Sequence, residues 1–145
     1  MDSVRQDFKA GEVQDLVSKA KAVAEKAHAP YSRFRVGCAV LGERGVYLGT
    51  NVENASFGLG LCAERSALAA ATAAGECSIR AIAVACIDAP EGAPTEQMTP
   101  CGACRQWIIE LAPSAKVIIA ATGATFTIEE LLPHAFQLET DRGKG

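Results

Sequence analysis

Apolar residues recur at helical spacing from Glu12 to about His28, where Val13, Leu16, Val17, Ala20, Val23, Ala24 and Ala27 fall on one stripe. Pro30 disfavours helix at the residue before it and closes this first element. Residues 1–11 read as a loosely held leader that breaks at Gly11. Arg35–Leu41 and Val46–Thr50 read as two strands joined by the turn Gly42-Glu43-Arg44-Gly45. Asn51–Leu61 is too rich in Gly, Asn and Ser for regular structure, and its length and polarity suit a binding loop. An alanine-rich helix is expected from Cys62 through Ala74, with Gly75 as its C-terminal cap.

Ile79–Ile87 is almost continuously apolar, as in a strand buried on both faces. Asp88–Thr99, with its prolines, glycine and acidic residues, reads as a surface loop. A second core helix is expected from just after Pro100 to about Leu111, ended by Pro113. Lys116–Ala121 reads as another buried strand, Thr125–Thr127 as a short fifth, and Ile128–Leu132 as a last helical turn before Pro133. Buried strands alternating with helices predict an α/β sandwich with helices on both faces. No repeat or domain boundary interrupts residues 1–145, so one domain is expected, with a mobile tail from Thr140.

Composition narrows the class. Hydrophobic residues at 49% and charged residues at 21% are ordinary for a globular domain. A formal net charge of −3 argues against a phosphate-backbone binder, so no nucleic-acid partner is expected. The N-terminus lacks a signal-peptide pattern, and no apolar run is long enough to span a membrane, so the chain reads as cytoplasmic. In a reducing compartment, spaced cysteines point to metal binding or catalysis rather than disulfides.

The cysteines that carry chemistry lie in Cys62-Ala63-Glu64-Arg65 and Pro100-Cys101-Gly102-Ala103-Cys104. Cys101 and Cys104 sit three apart at the start of one expected helix, and Cys62 at the start of another. Free backbone N–H groups and the positive dipole end at each start favour thiolates, the metal-binding form. Three soft ligands leave a coordination position open for water, as in a catalytic rather than a structural zinc site. Arg65 is placed to donate to thiolate sulfur and offset its charge from outside the ligand set. Glu64 is placed to carry protons rather than to bind metal. A lone Cys-x-x-C fits a redox pair equally well; the Cys-Ala-Glu element beside it shifts the reading toward hydrolysis.

Together with Arg105-Gln106, these stretches resemble the signature of the cytidine deaminases in their short, three-cysteine form. Pro30-Tyr31-Ser32-x-Phe34-x-Val36-Gly37, Asn51-Val52-Glu53-Asn54-Ala55 and Glu130-Leu131-Leu132-Pro133-x-Ala135-Phe136 resemble the same family in the same order, over about residues 12–138. The resemblance implies a three-layer α/β/α sandwich with a mixed five-stranded sheet. It implies one Zn²⁺ per subunit on Cys62, Cys101 and Cys104. It also implies hydrolytic deamination of cytidine and deoxycytidine, with release of ammonia, in pyrimidine salvage. Glu64 would move protons to ring N3 and to the departing amine. Asn51 and Glu53 would bind the ribose hydroxyls, Phe34 would pack on the pyrimidine, and the Ala63 N–H would donate to the base carbonyl. Phe136 would reach a neighbouring subunit's site in a homotetramer.

The remaining cysteines match no ligand position: Cys38 and Cys86 read as small core residues and Cys77 as a semi-exposed thiol. His28 and His134 read as structural. Phe57 stands where the family usually has Tyr, and the loop 89–99 is longer than in its compact bacterial members. Blasticidin S deaminases carry the same zinc motifs, which leaves a cytosine nucleoside antibiotic as an alternative substrate.

Overall fold

A computed structural model describes residues 7–140; most of the expected leader and nearly all of the tail from Thr140 lie outside them. Among the described residues the elements run α1 (Glu12–Ala24), β1 (Val36–Gly42), β2 (Val46–Thr50), α2 (Ala63–Ala73), β3 (Ile79–Cys86), α3 (Gly102–Leu111), β4 (Lys116–Ile119), β5 (Thr125–Phe126) and α4 (Ile128–Leu131). The strands form one mixed sheet in the order β2-β1-β3-β4-β5. Only β3 and β4 are parallel; β1 is antiparallel to both β2 and β3, and β5 is antiparallel to β4.

Strand alternation divides the core in two. Ala39, Leu41, Ala81, Ala83, Ala85 and Ile118 meet Leu16 and Ala20 of α1 on one face. Cys38, Val40, Ile82, Val84, Val117 and Ile119 meet α2, α3 and α4 on the other. This is the expected three-layer sandwich, with a single helix covering the alanine-rich face. Small residues set the layer spacing. A Cβ on Gly37 would lie 2.0 Å from the Ala20 carbonyl oxygen, and one on Gly49 would lie 2.3 Å from the Ala67 nitrogen. Gly49 therefore lets α2 rest directly on β2, which fixes the N-terminal end of that helix.

Three segments depart from expectation by more than one residue, each through backbone hydrogen bonds that the apolar pattern does not encode. The first helix ends at Ala24 rather than His28. Its last turn tightens through Lys26 N–H to Val23 O and Ala27 N–H to Ala24 O, and His28 is captured by pairing with Val52. The fourth strand stops at Ile119 rather than Ala121, because Gly123, at φ 74°, turns back to donate to the Ile119 carbonyl. Within the loop 51–61, Val52 and Leu61 exchange two backbone hydrogen bonds of 2.9 Å, and Phe57–Leu59 forms a 3₁₀ turn. Gly75, at φ 83°, caps α2 as expected, and the next N–H, from Glu76, reaches back to Ala71 O.

Asp7 and Phe8, part of the expected loose leader, lie against the sheet. Arg80 donates to the Asp7 carbonyl and stacks its guanidinium 5.4 Å from the Phe8 ring centre. His28 is exposed although its backbone is held in the bridge to Val52, and His134 is exposed in the left-handed region at φ 53°. Cys38 is buried, Cys86 half-buried and Cys77 exposed.

The ends of α1, β1 and β3 are joined by one guanidinium. Arg35 Nε and Nη2 each donate to Asp88 at 2.8 Å, its backbone N–H donates to the same carboxylate, and Nη1 reaches Glu25 at 2.7 Å. Hydrogen bonds from the Arg35 side chain and then its backbone pull the Asp88 carboxyl from 3.8 down to about 2. A carboxyl depressed in the folded state stabilises above its unfolded value, and that contribution is lost as pH falls through the folded one. Asp88→Asn should therefore be less stable than wild type near neutrality, with the gap closing between about pH 4 and pH 2. Denaturant unfolding of both proteins across that range checks this; parallel stability curves would rule it out.

Candidate active site

Two helix starts converge on one cluster. Cys62 is the N-cap residue of α2 and Cys101 that of α3, while Cys104 occupies the third position of α3. Neither start is capped by a side chain, so terminal N–H groups and the positive dipole ends face the cysteines. Cys62 Sγ and Cys101 Sγ are 3.7 Å apart, Cys101 Sγ and Cys104 Sγ 3.5 Å, and all three sulfurs lie within 4.8 Å of one another. A tetrahedral site with Zn–S bonds of about 2.3 Å has S–S edges of about 3.8 Å. The measured edges fit that ion with little movement. No fourth His, Cys, Asp or Glu joins the cluster among the described residues, which leaves one position of a tetrahedron open.

The surroundings favour thiolate at Cys62. Hydrogen bonding from Cys104, with further donation from Arg65 and Cys101, holds the Cys62 thiol down at about 5. The same hydrogen bond, with Cys104 as its donor, holds the Cys104 proton on, and burial adds to this. Arg65 Nη2 donates to Cys62 Sγ at 3.4 Å, and its Nε is buried with no protein partner. A half-buried guanidinium beside the sulfurs would offset the negative charge of three metal-bound thiolates.

Glu64 follows Cys62 by two residues and is only 4% exposed. Burial pushes its carboxyl up to about 7, outweighing the nearby Cys104 side chain, which pulls it down. Ala63, the first residue of α2, is fully buried beside it.

A cavity of ≈ 610 Å³ opens beside the cluster, lined by Cys62, Arg65, Asn51, Glu53, Tyr31, Phe57 and neighbouring loop residues. That is a size suited to a small polar ligand. Glu53 is oriented by the N–H groups of Tyr31 at 3.0 Å and Ser32 at 3.1 Å, both on Oε1, which leaves Oε2 for a ligand. Hydrogen bonds from the Ser32 hydroxyl and backbone hold its carboxyl below the usual range. Asn51 has a second use that its sequence position did not reveal. Its Oδ1 accepts from Val36 N–H and its Nδ2 donates to the Phe34 carbonyl, each at 2.8 Å. The side chain thus pins the entry to β1 while keeping one N–H and one lone pair toward the cavity.

Phe34 is half-buried, and its ring is not among the groups lining the cavity. Phe136 is 70% exposed, away from the cavity of its own chain, and its carbonyl accepts from Gln106 Nε2 at 2.9 Å. Phe57, which stands where the family usually has Tyr, pairs edge-on with Tyr31, to which the motif assigns no role; their ring centroids are 5.6 Å apart and both line the cavity. Their aromatic character on polar loops was the available signal.

Among the described residues, no helix is long and apolar enough to cross a membrane. Residues 11–121 match the family model "Cytidine and deoxycytidylate deaminase zinc-binding region". The chain is 44% identical over 131 residues to a cytidine deaminase of Halalkalibacterium halodurans, covering 87% of this chain and 95% of that one. A cytidine deaminase of Sporosarcina psychrophila is 39% identical over 135 residues, with coverages of 88% and 93%. The crystal structure of cytidine deaminase from Burkholderia pseudomallei superposes with a TM-score of 0.74 at 44% identity, over 85% of this chain and 98% of that one. That from Mycobacterium tuberculosis gives 0.75 at 35% identity, with coverages of 88% and 98%. With its three-sulfur cluster positioned for zinc, the chain belongs to the cytidine and deoxycytidylate deaminase family.

Proposed function

We propose that this chain catalyses the zinc-dependent hydrolytic deamination of cytidine and deoxycytidine to uridine and deoxyuridine, as a step of cytoplasmic pyrimidine salvage. The observation that carries this reading is a three-cysteine cluster with one buried carboxylate beside it, whose Cys62 lines a cavity that also presents Asn51 and Glu53. When bound, Zn²⁺ supplies a Lewis acid that makes water a nucleophile near neutral pH. Glu64 accepts the proton of that water, delivers it to ring N3, and carries a second proton to the exocyclic amine, which departs as ammonia. Water is consumed, and the C4–N bond is exchanged for a C4–O bond.

Arg65 and the helix starts keep the ligand sulfurs ionised while Glu64 cycles between its two protonation states. Ala63, at the start of α2, donates its N–H to the base carbonyl. Glu53 Oε2 accepts from a sugar hydroxyl, and Asn51 uses its remaining N–H and lone pair in the same way. Phe57, Leu59, Phe136 and Leu138 are each at least 70% exposed, a large apolar display for one chain. Their exposure favours a homotetramer in which Phe136 enters a neighbouring subunit's site.

Zinc-loaded protein should convert cytidine and deoxycytidine with a fall in ultraviolet absorbance and stoichiometric ammonia, and should turn over blasticidin S far more slowly. A chain carrying one zinc that released no ammonia from either nucleoside would end this reading. Faster turnover of the antibiotic would reassign the substrate.

A further inference from the structure

We infer that Arg105 is the positioning residue for the metal ligand Cys101, through the two peptide groups on either side of it. This rests on the zinc site described above. The three ligands are not equally secured. Cys104 is fully buried within α3, and Cys62 receives a hydrogen bond from Arg65. Cys101 is exposed and, as the N-cap residue of α3, sits at the junction between the loop 88–99 and that helix.

Its backbone is instead secured from one residue. The Arg105 N–H donates to the Cys101 carbonyl at 2.9 Å, the opening backbone bond of α3 that any residue at 105 supplies, and the arginine's own Nε donates to the Pro100 carbonyl at 2.8 Å. Both peptide groups that flank the Cys101 Cα therefore end on Arg105. These bonds restrain the backbone that carries the Cys101 side chain. The guanidinium is itself constrained. Nη2 donates to Thr99 Oγ1 at 3.2 Å, and that hydroxyl donates on to the Glu96 carbonyl at 3.1 Å. Nη1 donates to the carbonyl of Leu131, the last residue of α4.

The planar fork thus ties the incoming loop, the ligand peptide and the C-terminal helix to one point. A lysine has a single nitrogen and cannot meet three acceptors in a plane. Pro100 is fully buried, so its carbonyl has little access to replacement water. Orienting groups outside a ligand set are worth about 10–100-fold in metal affinity.

The test uses the full chain and compares wild type with Arg105→Ala, Arg105→Lys and Thr99→Val. Zinc affinity is measured by chelator competition, and the Co²⁺-substituted proteins report thiolate geometry through their sulfur-to-metal charge-transfer bands. The expected result is a loss of about 10–100-fold in affinity for Arg105→Ala, with a weakened or shifted band. Arg105→Lys should recover part of it, and Thr99→Val should lose less. An Arg105→Ala protein with wild-type affinity and spectrum overturns the proposal. If that variant does not fold, the lysine and valine variants decide, and wild-type values in both overturn it. Failure of wild type to bind metal would instead overturn the zinc site itself, and the proposal with it.

Discussion

Glu64→Gln is expected to keep its zinc and its fold and to lose about 10²–10⁴-fold in kcat. Gln has nearly the volume of Glu, so the buried site, 4% exposed, is not emptied. None of the sulfurs of the metal cluster belongs to residue 64, so the metal stays. What disappears is the one group able both to accept and to return a proton beside the open coordination position. The expected loss corresponds to about 3–5 kcal/mol of transition-state stabilisation. Because ring N3 and the amine are protonated only as reaction proceeds, the effect should fall on kcat, with KM for cytidine changed little. Steady-state kinetics together with metal analysis checks both halves. Near-normal ammonia release from a zinc-replete Gln variant would remove Glu64 from the mechanism.

The residues of this site were legible in the sequence because their chemistry is local. Cys62, Glu64, Cys101 and Cys104 are defined by type and short spacing, and each pair sits at a helix start marked by the change from loop to periodic apolar residues. The layer order was legible for a similar reason, since Ile79–Cys86 is apolar on both faces and must be covered twice.

What escaped was tertiary. The pairing of His28 with Val52 spans a strand hairpin and cut the first helix short, and nothing in the helical stripe announces it. Asn51 reads as a ligand-binding amide, but its bonds to Phe34 and Val36 exist only once β1 and β2 are side by side. Arg105 was visible only as one letter of a motif. Its three acceptors come from the preceding loop and from a helix 26 residues later. Long polar side chains acting at a distance carry no periodic signal, so their roles emerge only from coordinates.

Cys104→Ser should be the most damaging ligand substitution, because it removes a thiolate and buries a hydroxyl at the same time. Serine does not ionise in the accessible pH range and is a harder donor, so the zinc should be lost in Cys104→Ser and in Cys101→Ser alike. Losing a ligand that binds only the folded state costs RT ln(1 + [L]/Kd), about 4 kcal/mol where free metal is 1,000-fold above Kd. The two variants then part company. Cys101 is exposed, so its hydroxyl is hydrated and the metal contribution is the whole effect. Cys104 is fully buried at the start of α3, and a hydroxyl there costs about 1–3 kcal/mol more. At about 2–4 °C per kcal/mol, the extra loss is a clear separation in melting temperature. Thermal unfolding with and without a strong chelator isolates the contributions. Chelated wild type and Cys101→Ser should melt together, Cys104→Ser should melt below both, and chelator should move neither variant. A Cys104→Ser protein that retained one zinc per chain and melted with wild type would show that the buried sulfur is not a ligand.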